Sequence, residues 1–228
     1  LSEYREEMIT RYIASLPTQA VASLNLPALS LITPSTYSER LSAVKGAMRG
    51  LQVGVRVPPS PESNLMADAI AELLRMRLHE ALREVAGETY GVHVRTTFNE
   101  SQGVLINMLF QNDSGQCSET AKIVELELAR MLNKPPSEIE VQAVRDKGRK
   151  VIADLPQNAA AYALVMADQW QLNQGKPLAK IPDLAEYTPA MMHEYIKSWL
   201  EPSRWASGTF NCRNEIDFDK LKSVFAAK

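Results

Sequence analysis

The chain is poor in the residues that build dedicated chemical sites. Among 228 residues there are three histidines, His79, His93 and His193. No two stand at the H-E-x-x-H or H-x-x-E-H spacing that puts paired imidazoles on one helical face for zinc. There are two cysteines, Cys117 and Cys212, and neither has a partner at C-x-x-C spacing. Two buried or free thiols is their default reading, and a disulfide requires their Cα atoms to come within about 7 Å. Ten glycines leave no phosphate-cradling loop, and "GAMRG" does not make one. A G-x-S-x-G nucleophile elbow is absent, and no cysteine has a histidine-linked context. No apolar run approaches the roughly 18 residues of a membrane span. The net charge of -2, with no basic stretch, argues against a nucleic-acid binder.

What the chain has is a core. It is 45% hydrophobic and 23% charged, which is ordinary for a soluble globular protein. Its length supports folding without metal or disulfide staples. It begins at Leu1 rather than Met, in "SEYREEMITRYIASLP", which reads as a helix already under way. The expectation is a fragment of a longer chain, from which a signal peptide could have been lost.

Residues 2–14 carry Met8, Ile9, Tyr12 and Ile13 on one helical face, and Leu16-Pro17 ends the helix. Residues 18–38 read as a connector with one short strand. In "MRGLQVGVRVPP", Leu51, Val53, Val55 and Val57 alternate with polar positions, a half-buried strand stopped by Pro58-Pro59. A long helix follows, with Ser63 or Asn64 as N-cap and Gly87 as C-cap. Leu65, Ile70, Leu73, Leu74, Leu78 and Leu82 mark its apolar face. "TYGVHVRTTF" and "GVLINMLFQ" read as a hairpin turning at residues 99–102. Helices are predicted over 118–132, from Ser137 to about Ile152, over "LPQNAAAYALVMADQWQLNQG", and from Thr188-Pro189 through Leu200. "RWASGTFNC" reads as a closing strand and "DFDKLKSVFAA" as a terminal helix. The order predicts one α+β domain over 1–228, an antiparallel or mixed sheet with helices packed on one face.

Few side chains stand out chemically. Glu125/Glu127 and Glu138/Glu140 read as solvated helix faces, and Met66, Met76, Met131 and Met166 as core fillers. Arg83 falls in the last turn of the long helix, where a cation suits the helix dipole without any further role. Tyr90 begins a strand, where aromatics are common.

The wording around those two residues carries more. "RLHEALREVAGETYGVHV" resembles the pitrilysin/insulinase family of zinc peptidases with an inverted zinc motif. In the second half of those enzymes a helix ends in a phrase of the type L-R-E-x-x-G-x-x-Y-[SG]-V. Here the phrase is Leu82, Arg83, Glu84, Gly87, Tyr90, Gly91 and Val92. "MITRYIASLP" resembles the family's helix ahead of a central connector, and "LEPSRWASGTF" its closing strand. The resemblance covers most of the chain, in order.

The resemblance implies homologous α+β domains paired as two bowls around a chamber. An N-terminal catalytic half of the same polypeptide would supply H-x-x-E-H, a distal Glu and the zinc. This chain, lacking that motif, would hold no zinc and be inactive alone. Arg83 and Tyr90 would face the zinc and donate hydrogen bonds to a peptide substrate near the scissile bond. The alternative is a scaffold homologue in a protein-processing assembly whose parent has lost catalysis. The family's opening strand is missing from this sequence, which predicts an exposed sheet edge and a route to a homodimer of the fragment. The style resembles exported bacterial proteases, which implies the periplasm, with the cytoplasm as the alternative.

Overall fold

The computed structural model describes residues 7, 11, 35–39, 47–55, 60–86, 91–99, 103–112, 117–172, 184–201 and 205–211. Glu7 and Arg11 are helical. The rest of the expected first helix, the Pro58-Pro59 stop, the hairpin turn and the expected terminal helix lie outside the described residues.

In chain order the elements are β1 (Ser35–Glu39), β2 (Ala47–Val55), α1 (Pro61–Ala86), β3 (Gly91–Asn99), β4 (Gly103–Asn112), α2 (Cys117–Asn133), α3 (Glu138–Asp154), a 3-10 turn (Leu155–Gln157), α4 (Ala159–Leu172), α5 (Pro189–Trp199) and β5 (Trp205–Phe210). The five strands form one sheet in the order β1-β5-β2-β4-β3. All neighbours are antiparallel except β1 and β5, which run parallel. The predicted short strand is β1, and its register is set by β5 across most of the chain, Ser35 opposite Ala206 and Glu39 opposite Phe210. The fold is α+β with a mixed sheet.

The helix α1 is the spine. Met66, Ile70, Leu73, Leu74, Leu78 and Leu82 are all buried, the spacing of one helical face. That face lies on β3 and β4. Alternation on β4 answers it: Val104, Ile106, Met108 and Phe110 are buried, while Leu109 and Gln111 are exposed. Burying each large apolar side chain contributes roughly 1.5–3 kcal/mol. α2, α3 and α5 also pack against α1. On α5, Tyr195 sits edge-on to Trp199, ring centroids 5.3 Å apart. α4 differs: Tyr162, Leu164 and Trp170 are exposed.

Helix starts follow local chemistry. α1 begins before either predicted cap. Ser60 caps it, accepting from the Ser63 backbone N–H at 3.0 Å, while the Ser63 hydroxyl accepts from Ser60 N–H at 2.9 Å. Pro61 then occupies the first helical position, where its missing N–H costs nothing. α3 has the expected capping box. Ser137 N–H donates to Glu140 at 2.7 Å, and Glu140 N–H donates to the Ser137 hydroxyl at 3.3 Å. α5 opens at Thr188-Pro189, with the Thr188 side chain accepting from Met191 N–H.

Two expectations are overturned. Cys117 is not a free thiol: it is disulfide-bonded, and Cys212 is the only other cysteine in the sequence. Glu125 and Glu127 are not on a solvated face but buried, and Leu126 is exposed in their place. α2 is wedged against both α1 and α5, so a wide arc of it is covered, and the arc reaches beyond the apolar stripe of Ile123, Val124 and Leu128. Glu127 is partnered there by Arg130 at 3.4 Å. Glu140 is likewise not freely solvated, being held by Arg77.

Candidate functional site

Arg83 stands in the last turn of α1. The preceding residue, Leu82, is fully buried on the sheet. A helix turns by about 100° per residue, so burying Leu82 swings Arg83 outward. Its side chain is exposed and makes no hydrogen bond or ion pair among the described residues. A guanidinium in this state is always charged and offers five donors in a planar fork. Tyr90 directly precedes β3 in the sequence and lies outside the described residues, as does Gly87. The structure therefore gives the position of Arg83 and the start of β3 at Gly91.

The helix that carries Arg83 is clamped at its middle. Arg77, also on α1, is buried. Its Nε donates to Glu140 Oε1 at 2.6 Å and one Nη to Oε2 at 3.1 Å, a two-pronged pair. Glu140 also accepts from the Ser137 N–H and hydroxyl. Burial alone would raise the Glu140 carboxyl. The Arg77 fork and the two Ser137 donors outweigh it and hold the carboxyl at about 2. One carboxylate thus caps α3 and fastens it to α1. Sequence reading did not single out Arg77, because its partner is distant along the chain and only the long-range fold brings them together.

The histidines do not fit a zinc site. His79 and His93 are exposed on different elements, α1 and β3. His193 is buried on α5, its Nε2 3.1 Å from the Leu132 carbonyl oxygen. Among the described residues, no three His, Cys, Asp or Glu side chains cluster as a metal site would require. No described helix is long and apolar enough to cross a membrane.

A scan against protein-family models gives no match. A search of curated proteins gives none either. Solved structures do match. The first half of the periplasmic protease PqqL from Escherichia coli superposes with a TM-score of 0.72 at 13% identity, covering 100% of this chain and 54% of that one. A peptidase M16 inactive domain from Pseudomonas fluorescens gives 0.67 at 17% identity, covering 95% and 53%. A predicted insulinase family protease from Yersinia pestis gives 0.61 at 14% identity, covering 100% and 53%. The chain spans about half the length of each. Its fold is that of the pitrilysin/insulinase-type peptidase domain, shared by proteins described as proteases and by one described as inactive.

Proposed function

We propose that this chain is the non-catalytic half of a zinc-dependent endopeptidase. Its work is to close the chamber and to position peptide, through Arg83 and Tyr90, for hydrolysis by an upstream half that carries the zinc. The observation that carries the reading is Arg83 at the end of the buried helix α1, exposed and without a partner among the described residues, inside the phrase from Leu82 to Val92, on a peptidase fold. Both side chains are hydrogen-bond donors suited to a carbonyl oxygen as it gains charge.

The test is kinetic. Arg83→Ala and Tyr90→Phe in the parent protein are each expected to lower kcat/KM by about 10²–10³-fold, the usual cost of one lost transition-state donor. The melting temperature should hardly move, because Arg83 is exposed and makes no hydrogen bond or ion pair among the described residues. Unchanged turnover in both variants removes the assigned role. The scaffold reading is favoured by one neighbour being an inactive domain. It gains if the parent neither binds zinc nor cleaves peptides yet retains a peptide or protein partner.

We also place the protein in an oxidising, exported compartment. Cys117 is disulfide-bonded, and such bonds persist chiefly outside the reducing cytosol. One of the matching proteins is described as periplasmic. Recovery of the reduced protein from the cytosolic fraction of its native cell would refute this placement.

A further inference from the structure

β3 is the last strand of the sheet. One of its edges is paired with β4 over its whole length, from Gly91 opposite Gln111 to Asn99 opposite Gly103. No strand among the described residues pairs with the other edge. Beside the middle of β3, far along α1 from Arg83, lies a cavity of about 550 Å³. That is the size of a ligand pocket rather than a packing defect. It is walled by the N-terminal half of α1, by Val94–Thr96 of β3, by the C-terminal half of α3 and by α4.

Its chemistry is two-sided. Leu65, Val94, Val144 and Val165 make an apolar floor. Three acids also line it, Asp68, Glu72 and Asp168, with two cations, Lys147 and Arg95. Glu72 is satisfied, bound by Arg75 at 2.6 Å and by Lys147. Asp68 and Asp168 have no cationic partner among the described residues. Asp68 keeps an exposed side chain and, among the described residues, accepts from the Thr96 hydroxyl; desolvation by the cavity walls raises its carboxyl further than that hydrogen bond lowers it. Arg95 is exposed and paired with neither acid. Gln169 adds a buried carbonyl oxygen that accepts no hydrogen bond among the described residues. The walls therefore combine apolar surface with three acceptors that have no cationic partner among the described residues.

We propose that this cavity receives the basic side chain of a peptide that adds to the sheet along the edge of β3 that no described strand pairs. A lysine or arginine has the matching anatomy, an alkyl stem for the apolar floor and a cationic head for Asp68, Asp168 and the Gln169 carbonyl. The strand edge supplies the main-chain hydrogen bonds, and the cavity supplies the preference at one position. Each residue of an extended peptide advances by roughly 3.3 Å. A chain lying along β3 from Gly91 would reach the cavity opposite Val94–Thr96 within a few residues. The cavity and the strand edge are the same whether the parent is catalytic or a scaffold.

The experiment measures binding of capped, fluorescent heptapeptides of alternating valine and threonine to the 228-residue chain by anisotropy. One carries a central lysine, a second norleucine in its place, a third glutamate. The lysine peptide is expected to bind about tenfold more tightly than the norleucine peptide, and the glutamate peptide more weakly still. Asp68→Asn and Asp168→Asn, each checked for an unchanged melting temperature, should each remove most of the lysine advantage and leave norleucine binding unaltered. N-methylation of alternate peptide amides should abolish binding of all three. Equal affinity for lysine and norleucine, or a lysine advantage that survives both aspartate substitutions, overturns the cavity assignment. Binding indifferent to N-methylation overturns the strand-edge assignment.

Discussion

Glu140→Ala should be among the most destabilising substitutions outside the apolar core. The Arg77 side chain is only 9% exposed, so removing the carboxylate strands a guanidinium between helices. Breaking a buried pair from one side costs about 3–5 kcal/mol. The Glu140 side chain is 25% exposed, and one Nη of Arg77 already has no partner among the described residues, so the lower end applies. Loss of the capping box adds roughly 1 kcal/mol. The sum is about 3–4 kcal/mol, read as a lower urea midpoint at unchanged slope. Glu140→Gln keeps an acceptor for the cap and should lose less. Replacing both partners, Arg77→Met with Glu140→Leu, should recover most of the loss, since an apolar pair leaves no buried charge. The same carboxylate carries a pH signature. Its value in the fold is about 2 against an ordinary 4.5. The stabilisation is complete above about 4.5 and lost as pH falls toward 2. The shift corresponds to about 3 kcal/mol at most; solvent screening of a partly exposed group brings it to roughly 1–2 kcal/mol. Glu140→Gln should flatten that part of the stability–pH curve. A loss under 1 kcal/mol in Glu140→Ala, with an unaltered acid limb in Glu140→Gln, would refute the clamp.

The disulfide gives a second prediction. Non-reducing digestion should yield one linked pair of peptides bearing Cys117 and Cys212, the only other cysteine. Positions 117 and 212 are 95 apart, and a bond closing a loop of that order stabilises by about 4.7 kcal/mol in the chain-entropy account. Reduction should lower stability by a comparable amount in denaturant titration, and two unlinked peptides would dismiss the pairing. Leu78→Ala, at a fully buried position of α1, should cost about 2–5 kcal/mol. Leu126→Glu, at 67% exposure, should stay within about 0.5 kcal/mol of the parent. Equal effects from these two would mean that α2 and α1 are misplaced.

The parts of the fold that could be read in the sequence are those with local causes. α1 announced itself by leucines at helical spacing, and α3 and α5 by Ser137 with Glu140 and by Thr188-Pro189, whose caps act within three residues. The hairpin of β3 and β4 followed from alternation on either side of a short polar stretch. What could not be read depends on distant partners. The connector 18–38 read as holding one short strand, but "STYSE" has no apolar alternation to place it, and it is β5 lying beside it that sets β1 at Ser35–Glu39. Glu125 and Glu127 resembled a solvated face because nothing local showed how much of α2 its neighbours cover. The start of α1 was placed too late because Ser63 is a good cap by type, whereas Ser60 followed by Pro61 is better by position. The thiol of Cys117 was read as free because a disulfide depends on a spatial approach that spacing does not encode. For the site, the phrase from Leu82 to Val92 singled out Arg83, and the structure adds that its side chain is exposed and has no partner among the described residues. The cavity beside β3 had no local signal, since Asp68, Thr96 and Asp168 come from three elements.

The most direct test of the account is peptidase activity and zinc content of this chain, of the upstream half, and of the two combined. The account predicts that this chain binds no zinc and cleaves nothing alone. It predicts that the upstream half binds zinc, and that activity appears only on mixing and is lost with Arg83→Ala. Zinc bound by this chain alone would contradict it, as would a zinc-loaded upstream half whose activity is indifferent to the addition of this one.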